Sequence, residues 1–282
     1  METAVKPLTG DSIAEPYNLR VCTLNVPLRL AEYALKEKKT YLLQLYIYLS
    51  FQGSGKVIIT TFLKDKTAID LGVTVRNING RLAQLKKLNW IGYNPKTGYT
   101  YIRGVKYVCS LYKLNFRAAY EFSSDWLPFI DEFCFAAFIT YLLSYRRWRT
   151  WKPKRSYCDS KNRPGLFLSS PFQGAFNELY RNHKNALRMF PSPFLARQLC
   201  MSVSTISLLK KSTAQTGLLS ITHNRALISE KRKEVYAINC FREANPDIAR
   251  KLWIKDKQLY LILPDSFKST LKRKTLRLRG GK

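Results

Sequence analysis

Seven side chains between positions 76 and 87 can each donate hydrogen bonds: Arg76, Asn77, Asn79, Arg81, Gln84, Lys86 and Lys87. No carboxylate interrupts them. Arg and Asn are the types that make bidentate contacts to guanine and adenine edges. Ser204, Thr205, Ser207, Lys210 and Lys211 form a second acid-free group downstream. The chemistry on offer is recognition of an anion that has readable edges. Reaction chemistry is not evident. The 19 carboxylates form no convincing cluster, and SFQGSGK is too short for the phosphate-cradling GxxxxGK[ST] pattern. His183 and His223 are the only imidazoles. Six cysteines at 22, 109, 134, 158, 200 and 240 make no CxxC pair and read as reduced thiols. No catalytic residue, metal or cofactor is expected.

The charge balance points the same way. Lys and Arg number 48 against 19 Asp and Glu, a net charge of +29. So large an excess repels itself unless a polyanion is nearby, and nucleic acid is favoured over an anionic membrane surface. The longest apolar run, Phe133 to Leu143, has eleven residues. That falls short of a hydrocarbon core about 30 Å thick, so a buried helix is expected and no membrane partner. The N-terminus lacks the apolar segment of a secretory signal, and a cytoplasmic, nucleoid-associated location is expected.

The elements that must position these groups follow from the pattern. Thr40 to Phe51 is an apolar helix ended by GSGK, and a short strand, VIIT, follows. Phe62 to Leu71 is a second helix, with Phe62, Leu63, Ala68 and Leu71 available to the core. Gly72 sits where the chain must turn. Thr74 suits the N-cap of a third helix, whose stripe is Ile78, Leu82, Leu85 and Leu88. Trp90 to Tyr93 and Tyr99 to Arg103 then read as a hairpin with Lys96 at its tip. Helix, helix, turn, helix and basic hairpin over Lys38 to Cys109 look like a winged helix-turn-helix.

The pattern recurs at an offset of 128 residues: Ala68 with Ala196, Leu71 with Leu199, Gly72 with Cys200, Thr74 with Ser202, Val75 with Val203 and Ile78 with Ile206. Leu218 and Leu219 fall opposite Trp90 and Ile91. Cys200 replaces the turn glycine, so the turn is expected to differ slightly there. Lys210 and Thr213 replace Leu82 and Leu85, which weakens the second stripe. A second hairpin is expected from Leu218 to Thr222 and Val235 to Asn239, around a loop holding Arg225, Lys231, Arg232 and Lys233. Phe172 to Met189 is the expected first helix of this copy.

The expected organisation is an extended or partly ordered arm (1–36), a first winged-helix domain (37–120), a helical linker with a second winged-helix domain (121–242), and a basic C-terminal extension (243–282). The class is mostly α with small β-hairpin wings, an α+β fold. Asp125 to Trp151 reads as a long helix, and Arg146, Arg147 and Arg149 at its end interleave with Tyr145, Trp148 and Trp151. The architecture is similar to that of plasmid and phage replication initiators. The resemblance implies a double-stranded DNA partner read by sequence, in replication initiation or transcriptional regulation of a mobile element. It leaves a homodimer or the replication or transcription machinery as further partners. The alternative is a charge-driven protein that binds or packages nucleic acid regardless of sequence.

Overall fold

The computed structural model describes residues 23–53, 55–116, 118–151, 188–229, 252–255 and 258–275. The fold is mixed α and β. In chain order the described elements are β1 (Thr23–Pro27), α1 (Leu28–Lys36), α2 (Thr40–Gln52), β2 (Lys56–Val57), α3 (Thr61–Asp70), α4 (Val75–Lys87), β3 (Ile91–Tyr93), β4 (Thr100–Ile102), α5 (Val105–Leu111) and β5 (Ala118–Ser123). A 3-10 turn (Ser124–Phe129) leads into α6 (Ile130–Trp151). The second half supplies α7 (Ser192–Leu199), α8 (Val203–Gln215), β6 (Leu219–Ser229), β7 (Leu252–Lys255), β8 (Gln258–Ser269) and β9 (Arg273–Thr275).

Three small antiparallel sheets organise these elements. In the first unit the order is β2-β4-β3, with Ile91 opposite Ile102 and Val57 opposite Thr100. In the second unit the order is β6-β8-β7, and an isolated bridge joins Met189 to Ser266 on β8. The return strand of the second hairpin is therefore Gln258–Ser269. The expected return strand, Val235 to Asn239, lies outside the described residues. The third sheet, β1-β5-β9, pairs Ala118 with Thr275 and Thr23 with Ser123. It joins the beginning of the described chain to its end.

Two of the expected segments carry regular elements. Within the arm expected over 1–36, Val26 lies on β1, and Leu28, Leu30, Ala31, Ala34 and Leu35 are buried on α1. Their spacing of three and four is a helical stripe. The basic extension expected over 243–282 contributes β7, β8 and β9, and Lys274 on β9 bonds Glu121 at 2.9 Å.

The apolar helix α6 is buried all round from Phe133 to Ile139, as a helix must be when it is apolar on every face. It packs against α1, α2, α8 and β8. With its 3-10 lead-in, the stretch Ser124–Tyr145 spans 22 residues and is long and apolar enough to cross a membrane, more than the eleven-residue run suggested. Here its centre fills the core shared by the two units. Thr140 Oγ1 meets Ser269 Oγ at 2.5 Å and ties the helix to β8.

Candidate nucleic-acid interface

The two short helix pairs are built by the same local devices. After α3, the Val73 N–H bonds Ala68 O at 2.9 Å and the Gly72 N–H bonds Ile69 O at 3.1 Å. After α7, the Met201 N–H bonds Ala196 O at 2.9 Å and the Cys200 N–H bonds Arg197 O at 3.4 Å. Gly72 has φ 62° and Cys200 has φ 54°, both left-handed, as this helix ending demands. The expectation of a different turn at Cys200 is thus corrected. The cysteine adopts the glycine conformation at a steric cost.

Capping repeats as well. Thr74 Oγ1 accepts from the Asn77 N–H at 3.3 Å, and Ser202 Oγ accepts from the Thr205 N–H at 3.0 Å. The helices α4 and α8 span thirteen residues each at the constant offset. Left-handed residues follow both: Asn89 with φ 58° and Gly217 with φ 72°. Trp90 and Ile91, and at the same offset Leu218 and Leu219, are buried at the strand starts. Trp90 Nε1 donates to Tyr112 Oη at 3.0 Å, which fixes the root of the first hairpin.

On α4 the buried stripe is Ile78, Leu82 and Leu85. Arg76, Asn77, Asn79, Gln84, Lys86 and Lys87 are exposed, as expected. Lys86 Nζ sits 4.9 Å from the centre of the Tyr93 ring, so helix and hairpin share a cation–π contact. Gln84 Oε1 accepts from Tyr41 Oη at 2.7 Å. Lys96 is exposed at the hairpin tip, where its N–H bonds Asn94 Oδ1 at 3.0 Å. Arg81 departs from expectation. It is half-buried, donates to Gln44 Oε1 at 2.9 Å and lies 5.5 Å from the Tyr41 ring centre. Burial lowers its guanidinium pKa. Arg81 ties α4 to α2 rather than joining the outer face. Phe62, expected in the core, is 77% exposed on α3.

On α8 the buried residues are Ile206, Lys210 and Thr213. Lys210 is corrected from an outward contact to an internal one. Its Nζ donates to Asp265 Oδ2 and to Ser192 Oγ, both at 2.7 Å, and lies 5.4 Å from the Phe267 ring centre. Asp265 Oδ1 also meets His223 Nδ1 at 2.7 Å. Burial raises the Asp265 carboxyl, but the bonds from Lys210 and His223 outweigh it and hold the carboxyl below its ordinary range. The offset itself carried the signal, since Lys210 stands where Leu82 is buried in the first unit.

Ser204, Thr205, Ser207 and Lys211 are exposed on α8. Their exposed line also holds Leu208 and Gln215, which the sequence reading did not single out. Arg225 lies on strand β6 and not in a loop, with its guanidinium 3.7 Å from the Trp253 ring centre. Arg146, Arg147 and Arg149 fall in the last turns of α6, where side chains lie outside the description. Lys231, Arg232, Lys233 and the expected helix through Phe172 lie outside the described residues.

Cys109 is buried, and burial pushes its thiol up to about 11. Cys134 is buried and raised as well, also by desolvation first, with Asp131 and Glu132 adding to it. Thiols in such surroundings are poor nucleophiles. No group of three or more His, Cys, Asp or Glu among the described residues could hold a metal ion.

Comparison with known proteins returns no matching family model, no matching characterised protein and no matching solved structure.

Proposed function

We propose that the chain is a sequence-specific double-stranded DNA-binding protein with two winged-helix units, acting as a replication initiator or transcriptional regulator of a mobile element. One observation supports this reading most. The turn, the cap and the helix register recur at a single offset, and both recurring helices, VRNINGRLAQLKK and VSTISLLKKSTAQ, lack any carboxylate. A helix set across its partner by such a turn and followed by a hairpin is the arrangement that presents side chains to a major groove. In this reading Arg76, Asn77 and Asn79 contact base edges. Lys86, Lys87, Lys96 and Lys211 hold phosphates, and the wider excess of cations supplies affinity that does not depend on sequence.

The test is selection from a random duplex library at about 150 mM salt, where exposed charges are screened beyond about 8 Å. Two enriched half-sites are expected. Tight binding with a steep salt dependence and no enriched sequence would overturn the reading and leave a charge-driven binder.

A further inference from the structure

We propose that the two units read chemically different half-sites: α4 a purine-specified one, and α8 a thymine-rich one whose 5-methyl groups rest on Leu208. This rests on the DNA-reading function proposed above. It starts from one pair of positions at the common offset, Gly80 and Leu208. Each occupies the middle of its helix's outer line, Arg76-Gly80-Ala83-Lys87 on α4 and Ser204-Leu208-Lys211-Gln215 on α8. These spacings of four, three and four residues keep a single face.

The hydroxyls of the α8 face are engaged within the helix's own first turns. The Ser204 and Thr205 hydroxyls lie 2.7 and 2.8 Å from Ser202 Oγ, and Ser207 Oγ donates to Val203 O at 3.1 Å. Lys210 is turned inward onto Asp265. Leu208 is 69% exposed and lines an open recess together with Thr205, Leu209, Lys211, Ser212 and Gln215. A lone exposed leucine is ordinary on a protein surface. A leucine at the centre of a recognition helix, with its hydroxyl neighbours already bonded, is a ligand-matching feature. The major-groove edge of DNA carries one apolar group, the thymine methyl, and apolar side chains are what contact it.

The α4 face is built the other way. A Cβ added at Gly80 would meet nothing within 4 Å, so nothing inside the protein requires a glycine there. Glycine inside a helix lowers stability relative to alanine. The flat centre it leaves lets the helix backbone come close to the groove floor. Arg76, Asn77 and Asn79 then reach guanine and adenine edges. One chain therefore recognises an asymmetric, bipartite site rather than two copies of one word.

The experiment takes the duplex enriched by the full chain and replaces thymine with deoxyuridine in one half-site at a time, which removes only the 5-methyl group. Burying one methyl corresponds to about a fourfold affinity ratio. The expected result is about fourfold weaker binding per contacted methyl in one half-site and no change in the other. Leu208→Ala should abolish that sensitivity and keep the enrichment of the purine half-site, with an unchanged thermal transition because the side chain is exposed. Two enriched half-sites that both ignore deoxyuridine would overturn this inference and leave the DNA-reading function standing. So would a thymine preference that survives Leu208→Ala. A library with no enriched sequence overturns both.

Discussion

Lys210 and Lys211 are neighbours in sequence and should behave oppositely when each becomes methionine. Lys210 makes two charge-assisted bonds of 2.7 Å with its side chain 9% exposed, and its partner Asp265 is 20% exposed. Removing one member of a fully buried ion pair costs about 3–5 kcal/mol, because the other charge is stranded. Asp265 keeps its His223 contact and some solvent, which places the expected loss for Lys210→Met at about 2–3 kcal/mol. At about 1.36 kcal/mol per decade, that is roughly a 30- to 160-fold drop in the folded-to-unfolded ratio. Lys211 is exposed, so Lys211→Met should move stability by no more than about 0.5 kcal/mol. On the DNA-binding reading proposed above its effect belongs to binding: loss of one phosphate contact reduces the slope of log affinity against log salt by about 0.9. Urea titration and DNA binding at several salt concentrations separate the two. A Lys210→Met protein with an unmoved urea midpoint and a reduced salt slope would refute the assignment. It would put Lys210 outside, on the DNA.

Four further outcomes follow from the same contacts. Arg76→Ala should weaken binding to the enriched site by about 1–3 kcal/mol without moving the thermal transition, measured by titration of labelled duplex. Gly80→Ala has open space for its methyl and should raise stability by about 0.5–1 kcal/mol in chemical denaturation, and any loss of DNA affinity would show that the flat helix centre is used. Thr213 Oγ1 is buried with no hydrogen-bond partner, so Thr213→Val should stabilise by about 1–2 kcal/mol, read by the same denaturation. The fourth concerns acid. The folded-state pKa of Asp265 is depressed, so its stabilising contribution is complete above the unfolded value near 4 and is lost as pH falls through the folded one. Asp265→Asn should remove that part of the acid sensitivity, seen in unfolding free energies measured between about pH 5 and pH 2.5.

What could be read directly from the sequence was local. Thr74 and Ser202 mark helix starts because a cap uses a side chain and a backbone N–H three residues away. The stripe Ile78, Leu82, Leu85 sets which face of α4 turns outward, and Lys96 reached its hairpin tip from the Asn-Pro-Lys-Thr-Gly turn. What escaped was nonlocal. Asp265 lies 55 residues from Lys210, and no periodicity links them. The pairing of β6 with β8 spans a long intervening stretch of chain, which no local pattern announces. Arg81 looked outward because its position borders the face, and only the approach of Gln44 and Tyr41 from α2 draws it in. The α1 stripe was legible, but Pro7, Pro16 and Pro27 drew attention toward an extended reading. Pro27 in fact occupies the N-cap of that helix.

The pairing of β9 with β5 has a consequence for how the protein is made. Strands β1 and β5 leave the ribosome well before Arg273–Thr275, which lies far downstream in the chain. The sheet can close only once β9 has been synthesised, so the second unit is translated while the first still has an open edge at β5. An open edge is a template for unwanted strand pairing. Strand β9 therefore acts as a latch that protects the first unit. A chain stopped after Leu271 should show this as aggregation during expression, even though α4 and α8 would be intact.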